Sequence, residues 1–368
     1  MALIAMAMKG MLMANQDMIS KKFNAAQSRL VLQASDLSLE SISTMVARAA
    51  IDIKPQFQRR ERWSPQKQSA LIESFLLNVP VPPVYLMEED YGTYSVIDGK
   101  QRISAIYAFI NDNLKLVDLS TFTDINGYQY SSLPDSLRNA LDVRPYLRVI
   151  TLLRQSDSNL KYEVFTRLNE GGEPLNPQEL RNVAFRGPLN DLVYDLASNS
   201  FLRQQLKIKN DKSPAYAKMD DAEYVLRFFT LKEEWKSFGG VYRNSLDTYM
   251  RKNRNVSDAE IQRMSLIFQS AISTCELIWG KLAFKRYAGT GWRDQMLAGM
   301  YDSQMVAAAE LSGKDRDRAI DKRRKIIDLT KVLFQSDTRF DDSVRRATNN
   351  AANVKYRVEQ MIDILRNV

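Results

Sequence analysis

Apolar and polar positions form short runs along the first half of the chain and recur at helical spacing along the second half. The apolar runs at 83–87, 93–97 and 147–153 predict strands, and the acidic turn that ends in Gly92 predicts that the first two form a hairpin. From about Leu189 onward no convincing strand pattern is present, and the sequence predicts amphipathic helices. The predicted fold class is therefore α+β, with a small strand-containing domain followed by a larger all-helical domain.

Capping residues predict where several helices begin. Ser64 directly before Pro65 predicts one helix start, and Asn176 with Glu179 three residues later predicts another. The C-terminal run carries apolar residues three and four apart, which predicts one buried stripe. Its members are Val344, Ala347, Ala351, Val354, Val358, Met361 and Leu365.

Three parts of the chain are predicted from these patterns. A methionine-rich start predicts a flexible tail, and a short helix is predicted over 37–50. The predicted boundaries are 1–33 for the tail, 34–188 for the strand-containing domain and 189–368 for the helical domain.

Composition excludes several kinds of catalytic site. The 368 residues include no histidine and one cysteine. Ser-His-Asp and Cys-His catalysis, histidine-ligated zinc and His-Asn-His nuclease sites all need an imidazole, so none can be built from these residues alone. Cys275 lies in an apolar helical stretch and is predicted to be a buried thiol. Any bound metal is predicted to be a hard cation such as Mg²⁺, held by carboxylates and nucleotide phosphates.

The charge balance favours polyanionic partners. Lys and Arg number 52 against 44 Asp and Glu, a formal charge of +8. Basic residues are densest between Lys54 and Lys67, where Phe57 and Trp63 are interleaved with them. We expect Trp63 to lie in the core. No run of 18 apolar residues is present, so no membrane span is predicted and the expected location is the cytoplasm.

One pentapeptide between a predicted strand and a predicted helix could bind phosphate. It is Asp98-Gly99-Lys100-Gln101-Arg102. A helix N-terminus attracts anions, Gly99 allows close approach of the backbone, Arg102 can grip two oxygens and Lys100 adds a point charge. The alternative is that Asp98 caps the helix, Gly99 only makes the turn and the cations are solvated. These five residues alone leave both interpretations open, and the second is the commoner one.

A second glycine-containing loop poses the same choice. Asn169-Glu170-Gly171-Gly172-Glu173 lies between two predicted helices. Paired glycines allow either a plain turn or the close approach of backbone to a ligand. Taken alone, the loop favours a plain turn.

Three segments together carry a resemblance to a known family. They are FQRRERWSPQKQSALIESFLLNVPVPPVYL, YSVIDGKQRISAIYAFIN and VFTRLNEGGEPLNPQELRN, in this order. They resemble the family that forms the N-terminal part of GmrSD-type, modification-dependent restriction enzymes and of the phosphorothioate-sensing defence protein SspE. The resemblance is strong over residues 35–200 and looser over the helical remainder. Its most specific element is the Asp-Gly-x-Gln-Arg signature at 98–102.

The resemblance implies a ParB/sulfiredoxin-like nucleotide-binding fold with a mixed sheet. The turn of that fold has the pattern G-x-x-R-x-x-A, which Gly99, Arg102 and Ala105 match. Sulfiredoxins carry their catalytic cysteine directly after the glycine, where this chain has Lys100, so their redox activity is not expected. Glutamine is the commoner family residue at position 100.

The resemblance also implies a nucleoside triphosphate and Mg²⁺ as cofactors. In this scheme Arg102 and Lys100 hold phosphates, Gln101 orients the attacking water and Asp98 engages Mg²⁺. The remaining implied nucleotide contacts are Gln58, Arg59, Gly99, Asn169, Gly171 and Gly172.

The first functional hypothesis is a nucleotide-binding, NTP-hydrolysing sensor or regulatory subunit of an anti-phage restriction system. Relatives that cut DNA carry an additional nuclease domain with a His-Asn-His motif, which we do not expect in this sequence. Under this hypothesis a separate partner nuclease therefore cuts the DNA. The alternative is a non-catalytic DNA-binding module whose ParB-like pocket takes the DNA backbone or a modified base. A nuclease site at Glu234-Trp235-Lys236 is disfavoured, because these residues lie in a predicted helix. Self-association is left open.

Overall fold

The computed structural model describes residues 18–24, 30–53, 63–156, 163–164, 167–168 and 176–368. The chain divides into two compact units, an N-terminal unit, Met1–Leu175, and a C-terminal unit, Asn176–Val368. The sequence predicts the boundary between the two domains at residue 188, whereas the two units meet at residue 175. The α+β class is confirmed, because the N-terminal unit contains a five-stranded mixed sheet and the C-terminal unit is mostly helical.

The sheet of the N-terminal unit has the strand order β1-β5-β3-β4-β2. Its strands are β1 (Leu32–Ser38), β2 (Ile51–Asp52), β3 (Val84–Asp90), β4 (Thr93–Asp98) and β5 (Tyr146–Leu152). The pairs β1·β5 and β3·β4 are antiparallel, and β3·β5 and β2·β4 are parallel. The predicted hairpin is confirmed as β3 and β4, with Gly92 at a φ of +78° in the turn.

The prediction of a helix from residue 37 is wrong at its start. Residues 32–38 form strand β1 at the edge of the sheet, and the helix begins at Leu39. Most side chains of β1 are exposed or only half-buried. The strand therefore lacks the alternating apolar pattern by which a half-buried strand is recognised.

Four helices of the N-terminal unit bury apolar side chains in the core that also contains the sheet residues. They are α1 (Leu39–Ala47), α2 (Pro65–Leu76), α3 (Lys100–Ile110) and α4 (Asp135–Val143). The predicted start of α2 is confirmed, because the Ser64 hydroxyl accepts a hydrogen bond from the backbone N–H of Lys67. In α3, Ile103, Ile106 and Phe109 are fully buried in the core that also contains the sheet residues. This packing fixes where α3 begins.

Helices make up most of the C-terminal unit. They are α5 (Pro177–Ala184), α6 (Pro188–Ala197), α7 (Ser200–Gln205), α8 (Pro214–Ala217), α9 (Asp220–Glu234), α10 (Tyr242–Asn253), α11 (Asp258–Trp279), α12 (Ala298–Ala309), α13 (Gly313–Asp321), α14 (Arg323–Ser336), α15 (Thr338–Arg345) and α16 (Ala351–Arg366). The Asn176–Glu179 capping box is confirmed at the start of α5. Cys275 is buried in α11, as predicted, and burial raises the pKa of its thiol.

The prediction that no strand follows residue 189 is wrong at one place. Strands β6 (Lys285–Tyr287) and β7 (Trp292–Met296) form an antiparallel hairpin. Both strands are short, and charged or polar residues fill most of their positions, so they show no apolar run. The signal that could have found them is the Gly289 and Gly291 pair between two aromatic residues.

The predicted C-terminal stripe is confirmed in α16, where Val354, Val358, Met361 and Leu365 are buried. It does not continue along a single helix. Ala347 has a φ of +45° and lies between α15 and α16. The chain therefore reverses at a point where the apolar spacing alone predicts continuity.

A buried ionic cluster joins four helices of the C-terminal unit. The Asp302 carboxylate on α12 accepts hydrogen bonds from Arg227 at 2.5 and 2.7 Å, from Arg357 at 2.6 Å and from the Tyr242 hydroxyl at 2.8 Å. Burial disfavours the charged carboxylate, but the two guanidinium groups hold the pKa of Asp302 below its usual range. The cluster therefore ties α9, α10 and α16 to α12.

We expect Asp302→Asn to destabilise the protein by about 3–5 kcal/mol, because it leaves two buried guanidinium groups without a compensating charge. Urea unfolding followed by circular dichroism measures the change. Asp294→Asn is the matched control, since Asp294 also accepts from two cations, Lys207 and Lys285, but its side chain is 74% exposed. Equal shifts of the urea midpoint for the two variants would show that the buried Asp302 carboxylate stabilises the protein no more than the exposed Asp294 carboxylate.

Candidate functional site

The predicted phosphate-binding pentapeptide lies where β4 passes into α3. Asp98 is the last residue of β4 and pairs with Tyr85 of β3. Gly99 has a φ of +93°, and α3 begins at Lys100. The predicted strand, turn and helix start are confirmed at these residues.

Gly99 is required at the turn for two separate reasons. Its φ lies in the left-handed region, which side chains with a Cβ rarely adopt. In addition, a Cβ at this position would lie 2.4 Å from Cγ1 of Val84 on β3. Because Val84 is fully buried, the backbone of the turn lies directly on the core.

Arg102 holds the turn to the segment that precedes β3. Its Nη1 donates to the carbonyl oxygens of Pro82 and Pro83 at 2.5 and 3.0 Å, and its Nη2 donates to Oδ2 of Asp98 at 2.7 Å. The side chain is 12% exposed. Through these contacts Arg102 stabilises the turn by linking Asp98 to the Pro82–Pro83 segment. A direct bond from Arg102 to phosphate stays a prediction.

Asp98 has one oxygen engaged and one available. Oδ2 pairs with Arg102, and within the described part of the chain Oδ1 has no hydrogen-bond partner. The side chain is 41% exposed. A carboxylate in this state can approach a cation that arrives with a ligand. Among the described residues, no group of three or more potential protein ligands is close enough to form a metal site.

Gln101 connects the turn to the start of α2. Its Oε1 accepts from the backbone N–H of Trp63 at 3.2 Å, and Gln68 donates to the carbonyl oxygen of Trp63 at 2.9 Å. Trp63 is half-buried and packs against the core, as predicted. The end of the basic, aromatic segment is therefore held beside the turn.

The start of α3 has the electrostatic character of an anion site. Among the described residues no side chain caps this N-terminus, and the first intrahelical hydrogen bond runs from the N–H of Ile103 to the carbonyl oxygen of Gly99. The N–H groups of a first helical turn have no acceptor within the helix and carry a partial positive charge. Lys100 adds a formal charge at the same end. The alternative in which Asp98 caps the helix is not seen.

Five predicted site residues lie outside the described residues. They are Gln58, Arg59, Asn169, Gly171 and Gly172. The structure therefore brings together Asp98, Gly99, Lys100, Gln101 and Arg102 from the predicted set. Their partners Pro82, Pro83, Val84 and Trp63 were not predicted to take part in the site.

Glu73 on α2 is buried but is not suited to proton transfer. Its carboxylate accepts from the backbone N–H groups of residues 120–122 and from the Ser120 hydroxyl, at 2.7–3.1 Å. Burial opposes ionisation, yet these four donors lower the pKa of Glu73 to about 2. Glu73 thus anchors a loop as a permanently charged group.

The structure also places the disfavoured nuclease candidate on a helix. Glu234 is the last residue of α9 and Trp235 follows as its C-cap. The predicted helical setting is confirmed for Glu234, whereas Trp235 and Lys236 lie in the turn that follows α9. A metal-dependent nuclease of this type needs converging carboxylates, and within the described residues Glu234 is not part of such a group.

Comparison with known proteins gives one match. Residues 42–186 match the family described as GmrSD restriction endonuclease, N-terminal domain. The match contains the whole turn and supports the family resemblance of this part of the chain. No curated protein and no solved structure matches. In the described residues, no helix has the length and apolar character needed to cross a membrane.

We expect Gly99→Ala to cost more stability than Gly92→Ala. Both glycines have a left-handed φ, but a Cβ at Gly92 meets no atom within 4 Å, whereas one at Gly99 meets Val84. The difference between the two losses of unfolding free energy is the cost of overpacking against Val84, which we expect to be about 1–3 kcal/mol. Urea midpoints of the two variants measure it.

A double variant checks the assigned contact. Val84→Ala removes the clashing methyl group, so Gly99→Ala should cost less in a Val84→Ala background than alone. Equal costs in both backgrounds would show that Gly99 does not pack on Val84 as described.

Proposed function

We propose that this chain is a nucleotide-binding subunit of a restriction system, which uses NTP binding and hydrolysis to license a partner nuclease on DNA. The observation that carries the proposal is the turn at Gly99, where backbone packed on the core leads into a helix start without a side-chain cap. The family match at 42–186 supports the restriction context.

The phosphate groups would lie at the start of α3. The backbone amides of this first turn and the Lys100 ammonium supply positive charge there. Arg102 contributes by holding the Pro82–Pro83 segment in place through Nη1 and Asp98 through Nη2. Phosphoryl transfer depends mainly on positioning and charge neutralisation, so these groups suffice without histidine.

Asp98 would meet the Mg²⁺ that accompanies a triphosphate. Its available Oδ1 can bind the cation while Oδ2 stays on Arg102. Gln101 would orient the attacking water, since it is placed beside the turn through Trp63. Gln58, Arg59, Asn169, Gly171 and Gly172 complete the proposed pocket. The likeness to the ParB/sulfiredoxin fold stays a prediction.

Titration with the four ribonucleoside triphosphates in the presence of Mg²⁺ tests the proposal. We expect at least one triphosphate to bind and to be hydrolysed. Lys100→Ala should weaken binding at least about tenfold, the usual value of one charge-assisted hydrogen bond. Asp98→Asn should remove the dependence of binding on Mg²⁺.

Lys115→Ala is the matched control, since Lys115 is an exposed lysine beyond the other end of α3. It should bind nucleotide like the wild type. No binding by the wild type, or equal affinities of the Lys100 and Lys115 variants, would refute the proposed site. DNA binding that no triphosphate alters, with no hydrolysis, would instead favour the non-catalytic DNA-binding module.

A further inference from the structure

The β6–β7 hairpin of the C-terminal unit lies between two basic cavities. Consecutive residues of a strand point to opposite faces, and here they line different cavities. Arg286 and Arg293 line the first cavity, whereas Lys285 and Asp294 line the second. Neither cavity belongs to the site at Gly99, which lies in the other unit.

Arginines dominate the first cavity, which has a volume of about 560 Å³. They are Arg286, Arg293, Arg345 and Arg346. Asp341 accepts hydrogen bonds from Arg286 and Arg345, so part of this charge is compensated. In the described part of the chain, Arg293 has no acidic partner.

The start of α12 forms one wall of the first cavity. Ala298 and Gly299 line it, and no side chain in the described part of the chain caps this helix. A Cβ at Gly299 would lie 2.8 Å from Cα of Val344, so the start of α12 packs directly on α15. This close packing brings the start of α12, with its partial positive charge, next to Arg345 and Arg346 at the C-terminal end of α15.

Lysines dominate the second cavity, which has a volume of about 870 Å³. Its basic side chains are Arg203, Lys207, Lys209, Lys281 and Lys285. Asp294 is its acidic lining residue, and hydrogen bonds from Lys285 and Lys207 lower the pKa of that carboxyl to about 2. Arg203 also pairs with the buried Asp221 carboxylate at 3.6 Å. Three of the five cations therefore have an acidic partner, and Lys209 and Lys281 have none within the described residues.

We propose that the β6–β7 hairpin and its two flanking cavities form a surface that binds the phosphate backbone of double-stranded DNA. A small anion would fill one cavity only, whereas a polyanion can engage cations on both faces of the hairpin. On β7, Arg293 and Gln295 of the first cavity and Asp294 of the second are all exposed. This inference rests on the proposed action on DNA and adds the surface that performs it.

Removal of three cations from this surface tests the inference. The variant Lys209→Gln/Lys281→Gln/Arg293→Gln changes exposed side chains that have no ion pair within the described residues. Binding of a fluorescently labelled 20-base-pair duplex is measured by anisotropy at several NaCl concentrations. Each lost phosphate contact should reduce the slope of log K against log salt by about 0.9, so we expect a reduction of two to three.

A control variant carries the same charge change elsewhere. Arg323→Gln/Arg324→Gln/Lys325→Gln alters exposed cations at the start of α14, roughly 15 Å along the helix from Phe334, which contacts Trp292 of β7. It should retain the wild-type slope. Equal losses in both triple variants would overturn the inference, because they would indicate attraction to overall charge. Equal affinity for vesicles of anionic phospholipid would overturn it as well.

Absence of duplex binding by the wild type at 50 mM NaCl would refute this surface and the DNA part of the proposed function together. Nucleotide binding at Gly99 is measured separately and would stand. If the wild type binds DNA and the hairpin variant binds equally well, only this inference fails. Circular dichroism and urea midpoints confirm that both triple variants fold.

Discussion

The contact between the Gly99 backbone and Val84 is the constraint on which the candidate site depends. It holds the end of β4 so close to β3 that no side chain fits between them. The left-handed φ at Gly99 then turns the chain directly into α3. Because Ile103, Ile106 and Phe109 are buried, α3 cannot shift along the sheet without exposing apolar surface. The position of its N-terminus is therefore set by the core.

Polar contacts complete this arrangement from both sides. Arg102 joins Asp98 to the Pro82–Pro83 segment, and Gln101 joins the turn to Trp63. Arg102 and Gln101 thus hold the start of α3 in place through protein contacts, which would lower the entropy cost of binding the proposed ligand. In the β6–β7 hairpin of the C-terminal unit, exposed cations supply the charge. Under the two proposals, the N-terminal unit binds a single phosphate chain and the C-terminal unit binds a long polyanion.

Sequence patterns predicted much of this architecture. The strands 83–87 and 93–97, the caps at Ser64 and Asn176 and the turn at 98–102 each have a local signal, and the structure confirms them. The partners of Arg102 could not be predicted, because backbone carbonyl oxygens occur at every residue and carry no signature. Strand β1 and the β6–β7 hairpin were missed because neither buries an alternating apolar face. The buried Asp302 cluster was also missed. Asp and Arg usually lie on the surface, so their positions in the sequence do not indicate a buried ionic cluster.

Hydrogen exchange of individual backbone amides, with and without a bound triphosphate and Mg²⁺, tests the central claim most directly. The account predicts that the amides of residues 100–102 exchange more slowly when nucleotide is bound, while amides at the start of α12 in the other unit do not change. Unchanged exchange at residues 100–102, despite bound nucleotide, would show that the phosphates are held elsewhere and would contradict the account.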